Sequence, residues 1–342
     1  MSNLWEEEPE VQTRTKKQRP TFKKKSDRSP ESSKTWIIPS CPEHAQAGTV
    51  SSIHKNALQV LFDGQFIETV FAEEIPVSGW NDFAVGDQVW VVLGAEMSAS
   101  VVGRRARTSF VGRTKGDRTR QTSAEWYVLA ANVDCGLITV PLEQADVQAP
   151  FIDRYLVLLQ DGGVQPVVCL TKSDQSTTRP TSLDFYVTQE IPVFETSTLS
   201  GEGIRALKEY ISKKVVVFVG QSGAGKSSLM NAIDPSLELA TQIVNAKTGK
   251  GKHTTTRSNL YQWAEGSFII DTPGIRSLGV EDIPKEEVRF LFPEFSALST
   301  NCRYRNCSHL SEPACAVKKS LELADGVIKS RRYESYVRMM KE

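Results

Sequence analysis

Residues 220–228, reading Gly220, Gln221, Ser222, Gly223, Ala224, Gly225, Lys226, Ser227 and Ser228, restrict the fold of this chain more than any other stretch. They match the pattern G-x-x-x-x-G-K-[ST], and the flanks suit it: the apolar run VVVFVG enters and SSLMNAI leaves. A buried strand, a tight loop and a helix are therefore expected in succession. Glycines let such a loop curl until its backbone N–H groups point at phosphate oxygens, and the helix N-terminus adds to the preference for an anion. Lys226 is expected to contact the terminal phosphates and Ser227 to ligate Mg²⁺. From about 126 to 280, strand candidates (YVLAANVDCGLITV, PVVCLTKSD, IPVFETS, SFIIDTPG) alternate with helix candidates (FIDRYLVLLQDGG, GIRALKEYI). That alternation predicts a parallel or mixed sheet covered by helices.

Three further segments select the nucleotide. Thr171, Lys172, Ser173 and Asp174 follow the run PVVCL. An aspartate there can accept hydrogen bonds from the N1–H and exocyclic amine of guanine, a donor pair that adenine lacks. The Lys172 stem would lie against the base, and Thr196 and Ser197, after IPVFE, would close the pocket. Asp271, Thr272, Pro273 and Gly274 end the run SFII about 45 residues beyond the phosphate loop, a spacing suited to a GTPase. Asp271 is expected to support Mg²⁺, and the Gly274 amide to face the γ-phosphate. Between these lies GKHTTT, in which Thr255 is the expected switch threonine, completing the Mg²⁺ shell when the γ-phosphate is present. The guanine-reading segment comes before the phosphate loop, the reverse of the order in ordinary GTPases. The domain therefore reads as a circularly permuted GTPase, a relinking that neighbouring surface termini tolerate.

Of six cysteines, Cys302, Cys307 and Cys315 cluster with His309 in the spacing C-x₄-C-x-H-x₅-C. Three thiolates and one imidazole complete a tetrahedral Zn²⁺ shell with no open position, which predicts a structural ion. The chain start, MSNLWEEEPEV, lacks the apolar core of a secretory signal, so a disulfide framework is disfavoured. Cys41, Cys135 and Cys169 read as ordinary residues, the last two buried in strands.

Charge is balanced over the 342 residues, 41 Lys and Arg against 41 Asp and Glu, so a wholly basic packaging protein is excluded but a locally basic one is not. Residues 11–35 carry nine basic side chains and two acidic ones without apolar periodicity. They read as a disordered tail, either a solubilising arm or one that touches a polyanion. From about 48 to 112, short alternating runs separated by turns at Asp63-Gly64, around 76–80 and at Gly86-Asp87 predict a small antiparallel barrel. An OB-type barrel fits, and an SH3-like one fits nearly as well. Arg104, Arg105, Arg107, Arg113, Lys115, Arg118 and Arg120 stand against the single acid Asp117 within 103–120, which favours a phosphate-contacting surface over a merely solvated loop. No apolar run approaches the roughly 20 residues that span a bilayer.

The combination of GQSGAGKSS, GKGKHTTT, DTPG, TKSD and CRYRNCSH followed by EPAC closely resembles the ribosome small-subunit-dependent GTPase A family, also called RsgA or YjeQ, over roughly residues 45–335. The resemblance implies a multidomain chain: an N-terminal OB-like β-barrel, a central α/β P-loop GTPase domain that is circularly permuted, and a C-terminal, mostly helical zinc-binding domain. The expected divisions are a basic tail at 1–45, the barrel at 46–120, the GTPase at 121–280 and the zinc-binding region at 281–342. It further implies a GTP hydrolase, binding GTP and GDP, that binds the small ribosomal subunit and its rRNA, assists late assembly and is stimulated by the subunit. A cytoplasmic monomer without a membrane partner is expected. One departure is Thr171, where many GTPases carry asparagine; the lost amide is expected to weaken pocket stiffening.

Ile275 occupies the place of the usual water-orienting glutamine, and an apolar side chain cannot orient water. His253 is the expected substitute. Two other readings stay open from the residues: a P-loop ATPase or kinase, and a zinc-dependent RNA-binding module whose GTPase domain is a scaffold.

Overall fold

The computed structural model describes residues 37–342 except 55–56, 73–74, 76–81, 95–97, 116–124, 177, 179, 238–257, 273–274, 276–277, 281–282 and 324–327. The expected tail to residue 36, the turn around 76–80 and the segment holding His253 and Thr255 lie outside the described residues, as does Gly274.

Five strands close into a barrel: β1 (Gln46–Ile53), β2 (Leu58–Phe62), β3 (Gln65–Phe71), β4 (Gln88–Leu93) and β5 (Ala99–Arg104), in the order β1-β2-β3-β5-β4 with β4 returning to β1. The parallel pairing of β3 with β5 gives the OB-type connectivity rather than the SH3-like alternative. Asp63 and Gly64 both hold positive φ (47° and 75°), the conformation a tight two-residue β2–β3 hairpin turn requires. Alternate inward residues, among them Val50, Leu58, Val60, Val89, Val91 and Val101, fill the barrel. Residues 37–45, expected as the end of the tail, begin in contact with it. Ile37 bridges to Arg104, and the Trp90 indole N–H donates to the Ile38 carbonyl at 2.9 Å.

Arg118 and Arg120 lie outside the described residues, as does the side chain of Lys115; the four described bases of the cluster divide in two. Arg104 and Arg107 are internal: Asp87, fully buried, lies 3.5 Å from Arg104 Nη1 and accepts from Arg107 at 2.7 Å through each oxygen. Asp87 Oδ2 also accepts from the Ala84 amide, so the carboxylate knits the barrel's closing turn. Arg105 and Arg113 stay on the surface, against Trp90 and Tyr127 respectively.

The run read as one strand, YVLAANVDCGLITV, is two. β7 (Glu125–Ala131) pairs with β6 (Phe110–Lys115) in a ribbon, and β8 (Cys135–Pro141) enters the central sheet. Asn132, at φ 52°, makes the break; its side-chain N–H donates to the Gly86 carbonyl and its oxygen accepts from the Thr108 amide. The ribbon thus straddles the expected boundary at 120 and joins barrel to sheet.

The sheet has six strands in the order β10-β9-β8-β11-β13-β12, with β9 (Gln165–Thr171), β10 (Val193–Glu195), β11 (Val215–Val219), β12 (Asn259–Ala264) and β13 (Ser267–Asp271). All neighbours are parallel except the edge pair β12–β13. β8 is buried at every position and β9 at all but the first, as strands covered on both faces must be. Helices α1 (Ala149–Asp161), α2 (Leu183–Thr188), α3 (Ile204–Ile211) and α4 (Lys226–Ile233) cover it. α1 is buried on two sides. Ile152, Tyr155, Leu156 and Leu159 face the sheet, while Val157 packs into the C-terminal core.

That C-terminal region is mostly helical, as expected: α5 (Lys285–Val288), α6 (Pro293–Ser299), α7 (Ala316–Leu321) and α8 (Ser330–Lys341) surround Phe292, Phe295, Tyr336 and the three clustered cysteines. A buried ionic network fastens it to α1. Arg332 on α8 contacts Asp153 Oδ1 at 2.8 Å and donates through Nε to Glu294 on α6 at 2.8 Å. Asp153 also accepts from Ser335 at 2.6 Å, Tyr186 at 2.9 Å and Arg331 at 3.2 Å. Burial alone would lower the Arg332 pKa, but Asp153 and Glu294 hold it above its ordinary value. None of these pairings has a local sequence signature.

Candidate functional site

Because the inner strands run parallel, the segments that leave their C-terminal ends line up along one edge of the sheet. Thr196 and Ser197 follow β10, Thr171 ends β9 and residues 172–174 follow it, the glycine-rich loop follows β11, and Asp271 ends β13. The permuted chain order is invisible in this arrangement. Segments 171–174 and 220–228 meet across the edge although about 50 residues separate them.

The loop is shaped as its sequence predicts. Gly225, at φ 87°, caps α4, a conformation an L side chain adopts poorly. A Cβ on Gly220 would stand 2.5 Å from the Thr139 carbonyl of β8, so glycine is needed for the close approach of strand and loop. Lys226 Nζ donates to the carbonyls of Gly220 (2.8 Å) and Gln221 (2.7 Å), folding the ammonium back over the loop. Gln221, Ser222 and Gly223 are exposed at the rim, Ala224 is buried, and Ser227 and Ser228 are half-buried on the first turn of α4.

The side expected to read the base is cross-braced. Ser197 Oγ donates to Asp174 Oδ1 at 2.5 Å and itself accepts from the amides of Leu199 and Ser200 at 3.2 Å. The Ser173 amide donates to the Thr196 carbonyl at 3.1 Å. Lys172 takes a left-handed conformation (φ 57°), which turns the chain out of β9. Asp174 is exposed and therefore open to a ligand's donors. The departure at position 171 has a specific consequence. Thr171 is buried, and its hydroxyl donates to the Ala224 carbonyl at 2.7 Å. The threonine hydroxyl thus makes a stiffening bond of its own, which ties the segment expected to read the base directly to the glycine-rich loop.

On the other side, Asp271 is half-buried at the end of β13. Ile275 is buried in the sheet's core, and its carbonyl accepts from Tyr155 OH of α1 at 3.1 Å. Its side chain serves packing, as an apolar residue in that place should.

The second cluster lies in the C-terminal region. Ligand atoms of Cys302, Cys307, His309 and Cys315, all buried, sit within 4.8 Å of one another. Cys315 Sγ is 3.4 Å and Cys302 Sγ 3.7 Å from His309 Nδ1, and Cys302 and Cys315 sulfurs are 4.0 Å apart. A tetrahedral ion with metal–sulfur bonds of about 2.3 Å needs ligand separations of about 3.8 Å, so the four donors fit such an ion. Burial pushes the Cys307 thiol up to about 12 and raises that of Cys315, while burial and the nearby Arg289 bring His309 down to about 4. An uncharged imidazole is the form that ligates. A cation reverses the cost of thiolates held so close. Outer contacts hold the cluster: the Ala316 amide approaches Cys302 Sγ at 3.4 Å, Tyr333 OH donates to the His309 carbonyl at 2.7 Å, and Tyr336 OH to that of Ser308. Glu312, missed in the sequence, accepts from the amides of Ser308 and Leu310; burial opposes its charge, but these bonds win and bring its carboxyl down to about 2. The run EPAC carried that signal. Cys135 and Cys169 are buried as expected, their thiols pushed up to about 12 by burial, and Cys41 is exposed.

No helix among the described residues is long and apolar enough to cross a membrane.

The chain matches the family model described as RsgA GTPase over residues 107–281. It is 34% identical over 288 residues to the small ribosomal subunit biogenesis GTPase RsgA of Bacteroides fragilis, covering 82% of this chain and 91% of that protein. It is 37% identical over 217 residues to the protein of the same name from Bacillus subtilis, covering 62% and 72%. Among solved structures, YjeQ from Thermotoga maritima matches with a TM-score of 0.67 at 28% identity, covering 87% of this chain and 98% of that one. YloQ, described as a circularly permuted GTPase, matches with a TM-score of 0.66 at 27% identity, covering 87% and 95%.

Proposed function

This chain belongs to the RsgA GTPase family, a family of GTP hydrolases, and from that premise we propose that it hydrolyses GTP to GDP while bound to the small ribosomal subunit, assisting its late assembly. One observation carries the guanine specificity and the coupling to hydrolysis together. Asp174, braced by Ser197, and the phosphate loop share one sheet edge and are joined through the Thr171–Ala224 bond. In this reading Asp174 accepts from the guanine N1–H and amine, with Lys172 against the ring and Ser173, Thr196 and Ser197 shaping the pocket. The amides of residues 220–228 surround the phosphates, and Lys226 leaves its loop carbonyls to meet them. Ser227 and Thr255 would hold Mg²⁺ with support from Asp271, and the ion would neutralise the charge shared by the β- and γ-phosphates. Gly274 meets the γ-phosphate, and His253 orients the attacking water in place of the glutamine that Ile275 replaces.

The buried Cys302, Cys307, His309 and Cys315 set suits a structural Zn²⁺. The tail and the exposed arginines of the barrel side, Arg105 and Arg113 among them, supply the rRNA contact, and the chain acts as a cytoplasmic monomer. Nucleotide state sets the timing: GTP favours the bound form and hydrolysis favours release.

The deciding measurement is GTP turnover with and without purified small subunits. Stimulation is expected, and it should be lost in His253→Ala while GTP binding is kept. Equal turnover with and without subunits rejects the reading; preserved stimulation in His253→Ala rejects only the role of that histidine.

A further inference from the structure

The C-terminal cluster has one part that does not face inward. Cys302, Cys307, His309 and Cys315 are buried, but the four residues between the first two, Arg303, Tyr304, Arg305 and Asn306, are all exposed. The backbone at this tip is nonetheless well held. The Cys307 amide donates to the Tyr304 carbonyl, closing a turn, and the Arg303 amide donates to the Ala314 carbonyl. Arg289 donates to the Cys307 carbonyl at 2.6 Å. A large aromatic side chain is thus presented to solvent, 41% exposed, on an anchored turn. The Arg303 guanidinium lies 5.7 Å from the Tyr304 ring centroid, and Arg305 follows it in the chain. No acid lies between residues 295 and 311, and the first beyond, Glu312, is engaged with two backbone amides.

Burying Tyr304 inward would relieve the cost of an exposed ring, yet the inward positions are filled by the metal-ligand set and by Phe295, Tyr333 and Tyr336. What the tip offers is an exposed aromatic ring with the Arg303 guanidinium 5.7 Å from its centroid and the exposed Arg305 next in the chain. A protein surface rich in acids would suit the charges but leave the ring without a partner of matching shape. An unpaired nucleotide satisfies both: its base stacks on the ring and its phosphates meet the guanidinium groups.

We propose that Tyr304 is a stacking platform for an unpaired RNA base, with Arg303 and Arg305 holding the adjoining phosphates. The inference rests on the small-subunit reading above and adds to it a contact site separate from the barrel side.

The test compares the affinity of full-length protein, in the presence of GTP, for purified small ribosomal subunits. Tyr304→Ala should weaken binding about tenfold, within the range for loss of one stacked base, while Tyr304→Phe should stay close to wild type. Arg303→Ala and Arg305→Ala should each flatten the dependence of log affinity on log salt by somewhat under one unit. A photoreactive p-benzoylphenylalanine at position 304 should crosslink to rRNA. Unchanged affinity in Tyr304→Ala, with wild type binding normally, overturns the platform alone. So does a loss in Tyr304→Phe as large as in Tyr304→Ala, or crosslinking only to a ribosomal protein. Failure of the wild type to bind subunits removes the parent reading instead. Unaltered thermal unfolding of the variants shows that the fold is intact.

Discussion

The central sheet and the C-terminal region solve the same problem by different means. Around β8, β9 and β11 the core is built largely from aliphatic residues on both faces of a six-stranded sheet, so apolar burial carries most of its stability. Among the described residues the C-terminal region has four α-helices around one aromatic cluster, and it relies on two polar devices, the cysteine–histidine set and the Asp153–Arg332–Glu294 network. The contrast predicts different fragility. Loss of one apolar contact in the sheet is shared among many neighbours, whereas loss of one polar partner in the C-terminal region leaves buried charge or unligated thiols.

The largest effect should follow chelation of the proposed Zn²⁺ or Cys307→Ser. Structural zinc contributes on the order of 10 kcal/mol to the folding of small metal modules. Hydrogen exchange should rise throughout residues 285–341 while the protection of β8, β9 and β11 persists and GDP affinity changes little. Equal loss of protection in the sheet would erase the distinction between the two regions.

Next in size is Asp153→Ala. It strands Arg332, wholly buried, against Glu294 alone, and breaking a buried pair this way costs about 3–5 kcal/mol. Denaturant unfolding of the variant should show it. The triple variant Asp153→Ala/Glu294→Gln/Arg332→Met should recover a large part, because no buried charge is then left unpaired. If the triple variant is no better than the single one, the network is held by shape rather than charge.

The sequence reading and the structure agree where chemistry is written locally. The glycine pattern, the aspartate after β9 and the cysteine spacing each need only a few consecutive residues, and the structure brings the described members of each set together. What escaped was pairing over long separations. Arg104 and Arg107 look like surface bases beside Arg105 until Asp87 is placed between them by the closure of the barrel. Asp153 looks like a polar residue on an amphipathic helix until α8, some 180 residues later, supplies Arg331 and Arg332. The break at Asn132 was hidden in an apolar run because propensity does not register a single left-handed residue that a distant carbonyl holds in place.

Asp174→Asn sharpens the comparison at the nucleotide edge. Hydrogen bonds to a charged acceptor contribute about 1.5–3 kcal/mol each, so GDP affinity should fall roughly a hundredfold or more while the unfolding midpoint barely moves, since Asp174 is exposed. Competition with ADP should show lost preference for guanine. Retained preference would move the base-reading role elsewhere.

The smallest expected effect tests the bond that joins the two halves of that edge. Thr171→Val keeps the shape of the side chain and removes only the hydroxyl that donates to the Ala224 carbonyl. A single neutral hydrogen bond contributes about 1 kcal/mol, and a buried carbonyl left without its donor adds to the loss. GDP affinity should therefore drop several-fold, through a faster off-rate, with guanine-over-adenine preference intact because Asp174 and Ser197 are untouched. Thr171→Asn offers the converse: an amide placed at the same position can make the bond, so affinity should return toward wild type. A Thr171→Val protein that binds GDP as tightly as wild type would mean that the sheet alone sets the spacing between base pocket and phosphate loop. The apolar core would then position the nucleotide edge unaided, as the contrast with the C-terminal region in its strongest form requires.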